Sequence, residues 1–198
     1  LNQCFCPDEK GNYLQDFPVW EINDKRCDVL HLGLFSGQEL VATASVRVAW
    51  LRTPIQTSEH VMIRVAIIGA VATHSKWRKR GYASQLILHA LKWAKERCAE
   101  LCILWSSEYQ LYQRLGFEWF GSQIRMELKN VVNLSQTVEP RQFSNIQFGW
   151  NNSIYQQIQT REDGLALSVD DQTWYERHRN VEWLSILDAN GVLSFVGI

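Results

Sequence analysis

The sequence predicts an α/β fold in which a mixed, mostly antiparallel twisted sheet is flanked by helices. Long β-branched apolar runs broken by turn residues fill residues 29–73, an apolar stripe at helical spacing follows over 81–98, and shorter segments then alternate. The resulting order, β-β-β-α-β-α-β, makes a mixed sheet with helices packed on it. The 198 residues are 46% apolar and include nine tryptophans, enough apolar surface to offset the entropy of ordering and to exclude a disordered chain. That length fits one domain, or one domain plus part of a second.

Residues 1–27 mix turn formers and aromatics without clean periodicity and read as loop and short helix. Residues 29–35 and 39–50 are apolar and β-branched, and Ser36-Gly37-Gln38 between them reads as a hairpin turn. A polar loop with Pro54 covers 53–59, and residues 61–73 read as a third strand, too rich in β-branched residues for a helix. Gly69 within it marks a bulge or a close approach by a backbone or ligand. Ile87, Leu91, Ala94 and Cys98 recur at i, i+4, i+7 and i+11, which predicts an amphipathic helix over 81–98. Residues 101–105 read as a short buried strand, 109–115 as two helical turns closed by Gly116, and 117–128 as strand.

Beyond Lys129 the texture turns to Asn, Gln and Ser. Residues 1–129 therefore read as one domain, and 130–198 as part of a second α/β unit. In the latter, Trp174-Tyr-Glu-Arg-His178 reads as helix, while residues 183–187 and 192–196 flank Asn190-Gly191, a favoured pair for a tight hairpin. The chain begins with Leu and stops in the apolar, strand-like Phe195-Val-Gly-Ile198, as expected of a fragment.

Twenty basic against twenty-one acidic residues leave a formal net charge of -1, so no global field draws the chain to nucleic acid or anionic lipid. Neither an apolar run long enough to span a membrane nor a charged-then-apolar leader is present in these residues, which predicts a cytoplasmic location. The five cysteines are odd in number and unevenly spaced, and Cys98 and Cys102 lie among apolar neighbours, which predicts buried free thiols. Cys4 and Cys6 alone cannot close a tetrahedral zinc site, so no metal is expected. Asn133 and Asn151 match the glycosylation pattern, which is idle without secretion.

The stretch from Val71 to Ala83 sets a strand end, a cationic loop and a glycine-led helix start in succession. Helix N-termini present unpaired N–H groups and partial positive charge, and Gly81 and Ala83 lack the bulk that would keep a phosphate away. Lys76, Arg78, Lys79 and Arg80 add cationic side chains. On charge alone this is a solvated basic turn, and neither G-x-x-x-x-G-K-[ST] nor G-x-G-x-x-G occurs in the chain.

The context decides. Arg78-Lys-Arg-Gly81-Tyr-Ala83 resembles the Arg/Gln-x-x-Gly-x-Gly/Ala cofactor signature of the GNAT superfamily of acetyl-coenzyme A dependent N-acetyltransferases. Leu111-Tyr112-Gln-Arg-Leu-Gly-Phe117 resembles that family's F/L-Y-x-x-L/F-G-F segment, at family-like spacing, and the resemblance covers roughly residues 28–128. It implies acetyl-CoA as donor, held by Val71, Ala72 and Thr73 through backbone groups of a splayed strand, and by Arg78, Lys79, Arg80, Gly81, Tyr82, Ala83 and Ser84 at the pyrophosphate. The Val71 amide would polarise the thioester carbonyl, and Tyr112 would protonate the departing thiolate. The acceptor implied is a primary amine of a small molecule or peptide, attacking directly in a ternary complex.

The acceptor's proton could pass to Glu59, His60, His74 or Glu108, with His74 better suited to capping its loop and Glu108 able simply to cap the next helix. His31, His89 and His178 read as packing residues. Ser107-Glu108-Tyr-Gln-Leu-Tyr112 and a trailing α/β segment also resemble the enhanced-intracellular-survival acetyltransferases, whose second GNAT-like domain is degenerate and which form oligomers, making a homo-oligomer an expectation. Two other function classes compete: a non-catalytic acyl-CoA-binding or regulatory module, against which Tyr112 speaks, and an interaction domain using the basic loop, against which the near-zero net charge speaks. The acidic residues of the first 28 positions could welcome a cationic amine, or merely form a solvated surface.

Overall fold

The β-branched runs form the strands expected of them: β1 (Val29–Ser36), β2 (Glu39–Pro54) and β3 (His60–Thr73) make an antiparallel meander. The computed structural model describes residues 1–5, 11–20, 27–54, 60–121, 145–161, 164–166, 168, 171–178, 181, 183–187 and 193–197. The hairpin between β1 and β2 turns on Gly37, at a φ of 63° that favours glycine. Three further elements follow: α3 (Tyr82–Glu96), β4 (Leu101–Ile103), which pairs parallel with β3, and α4 (Tyr109–Gln113). The amino-terminal segment supplies α1 (Asn2–Phe5), α2 (Tyr13–Asp16), N-capped by Asn12, and a 3-10 turn at Pro18–Trp20.

The sheet has two covered faces. On one, Ile87, Ala90 and Ala94 of α3 pack with Val46, Ala66, Ile68 and Tyr112. On the other, Tyr13 and Trp20 pack against Ala49, Val65, Ile67 and Ala70. Val65 and Ile67 stand on one side of β3, and Ala66 and Ile68 on the other, as the two-residue period requires.

The later part of the chain forms β5 (Asn145–Phe148), α5 (Asn152–Gln159), β6 (Gly164–Ala166), α6 (Gln172–Arg177), β7 (Trp183–Leu187) and β8 (Leu193–Gly197). β5, β7 and β8 make a separate antiparallel sheet, and the expected hairpin is seen in the pairing of Leu187 with Leu193. Its Asn190-Gly191 turn lies outside the described residues. β6 joins the first sheet instead, pairing with Trp50–Arg52 along the edge of β2 that β1 leaves free. Arg52 secures that end through Nη1, which donates to the carbonyls of Gln159 (2.7 Å) and Arg161. Asn151 caps α5, with Oδ1 accepting from the Ile154 amide at 3.1 Å and Nδ2 donating to Ser185 at 3.0 Å, so its side chain is already engaged within the fold.

Four local expectations are corrected. Cys98 is exposed at a positive φ of 58°, beyond the end of α3, and the buried face of that helix is Leu86, Ile87, Ala90 and Ala94. The apolar stripe stops there because the chain must turn back toward β4. β4 is shorter than expected and not fully buried, since Leu101 lies outermost at the strand's start. Residues 117–121 form no ladder, with Trp119 and Phe120 exposed, while the rest of that expected strand lies outside the described residues. Glu108 holds the N-cap position of α4 without a side-chain cap bond.

Candidate active site

The centre of the site is the point where β3 and β4 part. Their parallel pairing ends at Ile67 with Ile103, yet β3 runs on to Thr73 while the segment after β4, Leu104–Ser106, leaves the ladder. Just past that point β3 carries a bulge. Thr43 faces Ala72 and Ser45 faces Gly69, so Ala70 and Val71 together oppose Ala44 alone. Ala70 takes a φ of 52°, a strained value for a residue with a side chain. Gly69 is required for a different reason: a Cβ there would meet the Trp20 ring at 2.3 Å. The close approach expected at this glycine is thus made by an indole.

The bulge decides which backbone groups remain open. Thr43 Oγ1 donates to the Ala70 carbonyl at 2.8 Å and the His74 amide donates to the Val41 carbonyl at 2.9 Å, so residues 70 and 74 face β2. Backbone groups alternate along a strand, which leaves Val71 and Thr73 facing the parted edge and turns Ala72 back toward β2. The Thr73 carbonyl accepts from Arg78 Nε at 3.2 Å, as expected of a group pointing away from β2.

The basic loop follows at once. His74 caps its short 3-10 turn, Nδ1 accepting from the Lys76 amide at 3.4 Å, which is the capping role open to it in the sequence. Arg80 stacks on Trp77 with its guanidinium 4.7 Å from the ring centroid, and Arg78 is folded onto Thr73, so these two cations help shape the loop. Lys79 and Gly81 both have positive φ, 62° and 80°, and a Cβ on Gly81 would meet nothing within 4 Å. The N-terminus of α3 has no side-chain cap and no acidic residue in its first turn. The amides of Tyr82, Ala83 and Ser84 therefore open onto space beside exposed lysine and arginine, a cradle that suits a phosphate.

Tyr112 reaches the same centre from α4. It is buried, meets Phe117 edge-on at 5.8 Å, and lines a cavity of about 690 Å³ together with Val71. Burial pushes its phenol above the ordinary 10.0, a hydrogen bond with Ser106 pulls it back, and the Glu108 carboxylate adds to the rise. The phenol thus keeps its proton at neutral pH.

Sequence reasoning missed the rest of that cavity. Beyond the parted strands it continues over the face opposite α3, where the amino-terminal segment and α6 supply its walls: Phe17 and Trp20 from one, Trp174, Tyr175 and His178 from the other. Arg47 stands behind them, fully enclosed, with Nη2 donating to Asp171 Oδ1 at 2.7 Å, Nε 3.5 Å from Asp28, and the guanidinium 4.4 Å over Trp174. Glu59 lies outside the described residues, as does the His60 side chain. Among the described residues no group of His, Cys, Asp and Glu could hold a metal ion, and no helix is long and apolar enough to cross a membrane.

Residues 18–120 match the family model described as "Acetyltransferase (GNAT) domain". The chain belongs to the GNAT acetyltransferases. Acetyl transfer is the reaction of that family, and the parted strands, the basic loop and Tyr112 all fall inside the matched span. Similar solved structures include a transcriptional regulator from Bacillus halodurans, 27% identical over 52% of this chain and 68% of that one, with a TM-score of 0.44. A putative acetyltransferase from Agrobacterium tumefaciens is 23% identical over 51% of this chain and 71% of that one, at a TM-score of 0.41. An acetyltransferase from Trypanosoma brucei is also 23% identical, over 52% and 71%, at 0.41. No curated protein matches the sequence.

Proposed function

We propose that this GNAT acetyltransferase is an N-acetyltransferase, moving an acetyl group from acetyl-CoA to a primary amine by direct attack in a ternary complex. The observation that carries the reading is the freed edge of β3, which leads directly into the uncapped N-terminus of α3 and at Val71 shares a cavity with the protonated phenol of Tyr112. Acetyl-CoA, when bound, supplies an acetyl group activated as a thioester. The amides of residues 79–84, with the Lys79 side chain, bind the pyrophosphate, and Gly81 leaves room for it. Thr73 and Val71 pair with the pantetheine arm, for which Arg78 must release the Thr73 carbonyl. The Val71 amide donates to the thioester carbonyl oxygen, where negative charge grows as the amine attacks.

Carbon–nitrogen bond formation is matched by carbon–sulfur cleavage, and Tyr112 gives its proton to the departing sulfur. The proton shed by the amine goes to His178. It carries the one imidazole among the described cavity residues, whereas Arg47 is a cation held by two carboxylates. Residues 130–198 serve as an accessory unit that closes this second face, and a cytoplasmic location suits the reaction, since acetyl-CoA is available there.

Calorimetric titration with acetyl-CoA, coenzyme A and ATP tests the reading. Wild type is expected to bind both CoA compounds and to prefer them to ATP. Gly81→Glu, which sets a carboxylate where the phosphates sit, is expected to weaken binding about 100-fold or more. A folded wild type that binds no CoA compound refutes the proposal.

A further inference from the structure

The parted strands join two unlike spaces. On the α3 side lie backbone amides and cations, whereas on the opposite side the cavity is walled by rings. Trp20 and Trp174 are buried in that wall, while Phe17 and Trp105 stand exposed at its mouth. The rings hold one another: Phe5 stacks on Tyr13 with centroids 4.5 Å apart, Tyr13 meets Phe17 at 5.0 Å, and Phe17 meets His178 edge-on at 6.3 Å. Across the cavity, Tyr175 stacks on Trp150 at 4.8 Å, so that wall is fixed from behind as well.

Charge is as informative as shape. No carboxylate is among the described residues lining the cavity, and the one permanent charge among them is the Arg47 guanidinium, already committed to Asp171. A polyamine or an aminoglycoside entering here would lose hydration at several ammonium groups and find no carboxylate among the described lining residues to replace it. A flat apolar body carrying a single amine loses little and gains ring-on-ring contact. The volume of about 690 Å³ falls in the range of small-molecule sites and leaves room for such a body beside the reacting acetyl group.

We propose that the acceptor is a primary amine borne on an aromatic body, an arylalkylamine, seated among Phe17, Trp20, Trp105 and Trp174 with its nitrogen directed to the gap between Val71 and Tyr112. This rests on the N-acetyltransferase reading and narrows it.

The experiment compares kcat/KM for tryptamine and tyramine with that for spermidine and kanamycin, at fixed acetyl-CoA. The arylalkylamines are expected to be better by about tenfold or more, and Phe17→Ala or Trp105→Ala to raise their KM by about tenfold with acetyl-CoA affinity unchanged. Faster turnover of the polycations, or an equal effect of both variants on the two amine classes, overturns the aromatic acceptor while leaving acetyl transfer intact. Failure to bind any CoA compound is a separate result that removes the transferase reading and this proposal with it.

Discussion

The two faces of the sheet at the β3–β4 opening are made from different materials. The α3 face presents main-chain amides, two residues at positive φ and a cluster of cations, all within residues 71–84. The opposite face presents side chains, drawn from α2 and the following turn, from residues 104–106 and from α6. A site built from backbone tolerates changes of side chain but not of conformation, whereas a site built from rings tolerates neither loss of volume nor loss of the residues that hold it. Donor recognition and acceptor recognition should therefore fail separately.

The largest separation is expected from Asp171→Ala. Asp171 is fully enclosed, accepts from Arg47 and from the Ser168 amide at 2.6 Å, and its loss leaves a buried guanidinium short of its nearest anion. A destabilisation of about 3–5 kcal/mol is expected by denaturant unfolding. Amine turnover should fall with it, while acetyl-CoA binding to the folded fraction is retained; equal loss of both would show that the faces are not independent.

Tyr112→Phe addresses the shared boundary. Turnover should drop roughly 10- to 1,000-fold with CoA affinity unchanged, as for loss of a general acid. Burial raises the phenol, so in wild type the midpoint of the alkaline loss of activity should lie above pH 10 rather than below it. The same shift makes the neutral tyrosine a stabilising form that is fully present below pH 10 and lost as pH rises through the raised value. An unchanged rate in the phenylalanine variant would remove the assignment.

Gly69→Ala pushes a methyl group into the Trp20 indole at 2.3 Å, at a cost of about 1–3 kcal/mol in thermal or denaturant unfolding. It should raise KM for the amine more than the Kd for acetyl-CoA, because the indole belongs to the ring-lined wall. The smallest effect concerns thiols on the two sides of one turn. Cys98 is exposed, while burial pushes Cys102 up to about 12, so maleimide should label Cys98 well before Cys102 in the native protein, and at similar rates once it is unfolded.

The same contrast explains why one half of the site is legible in the amino-acid sequence and the other is not. The proposed donor side is contiguous: strand end, basic loop, Gly81 and helix start follow one another, and the helical spacing around Ile87 and Ala94 marks the face on which the helix packs. The proposed acceptor side is scattered over residues 13–20, 104–106 and 174–178, and no local pattern joins Trp20 to Trp174. His178 reads as an ordinary helix residue for that reason. Only Gly69 hints at the wall, as a place of close approach without a partner. Cys98 misleads because apolar periodicity says nothing about where a helix must stop, and residues 117–121 mislead because aromatic residues suit an exposed surface as well as a strand.

One contact bears on the order in which the molecule can be made. Arg47 lies in the centre of β2, yet its buried carboxylate is 124 positions later in the chain. A first sheet formed before residue 171 has been made would hold that cation with Asp28 as its one described carboxylate neighbour. Such a sheet would fall short of its final stability, and the addition of Asp171 and α6 would bring Arg47 its enclosed carboxylate and the aromatic wall its last rings together.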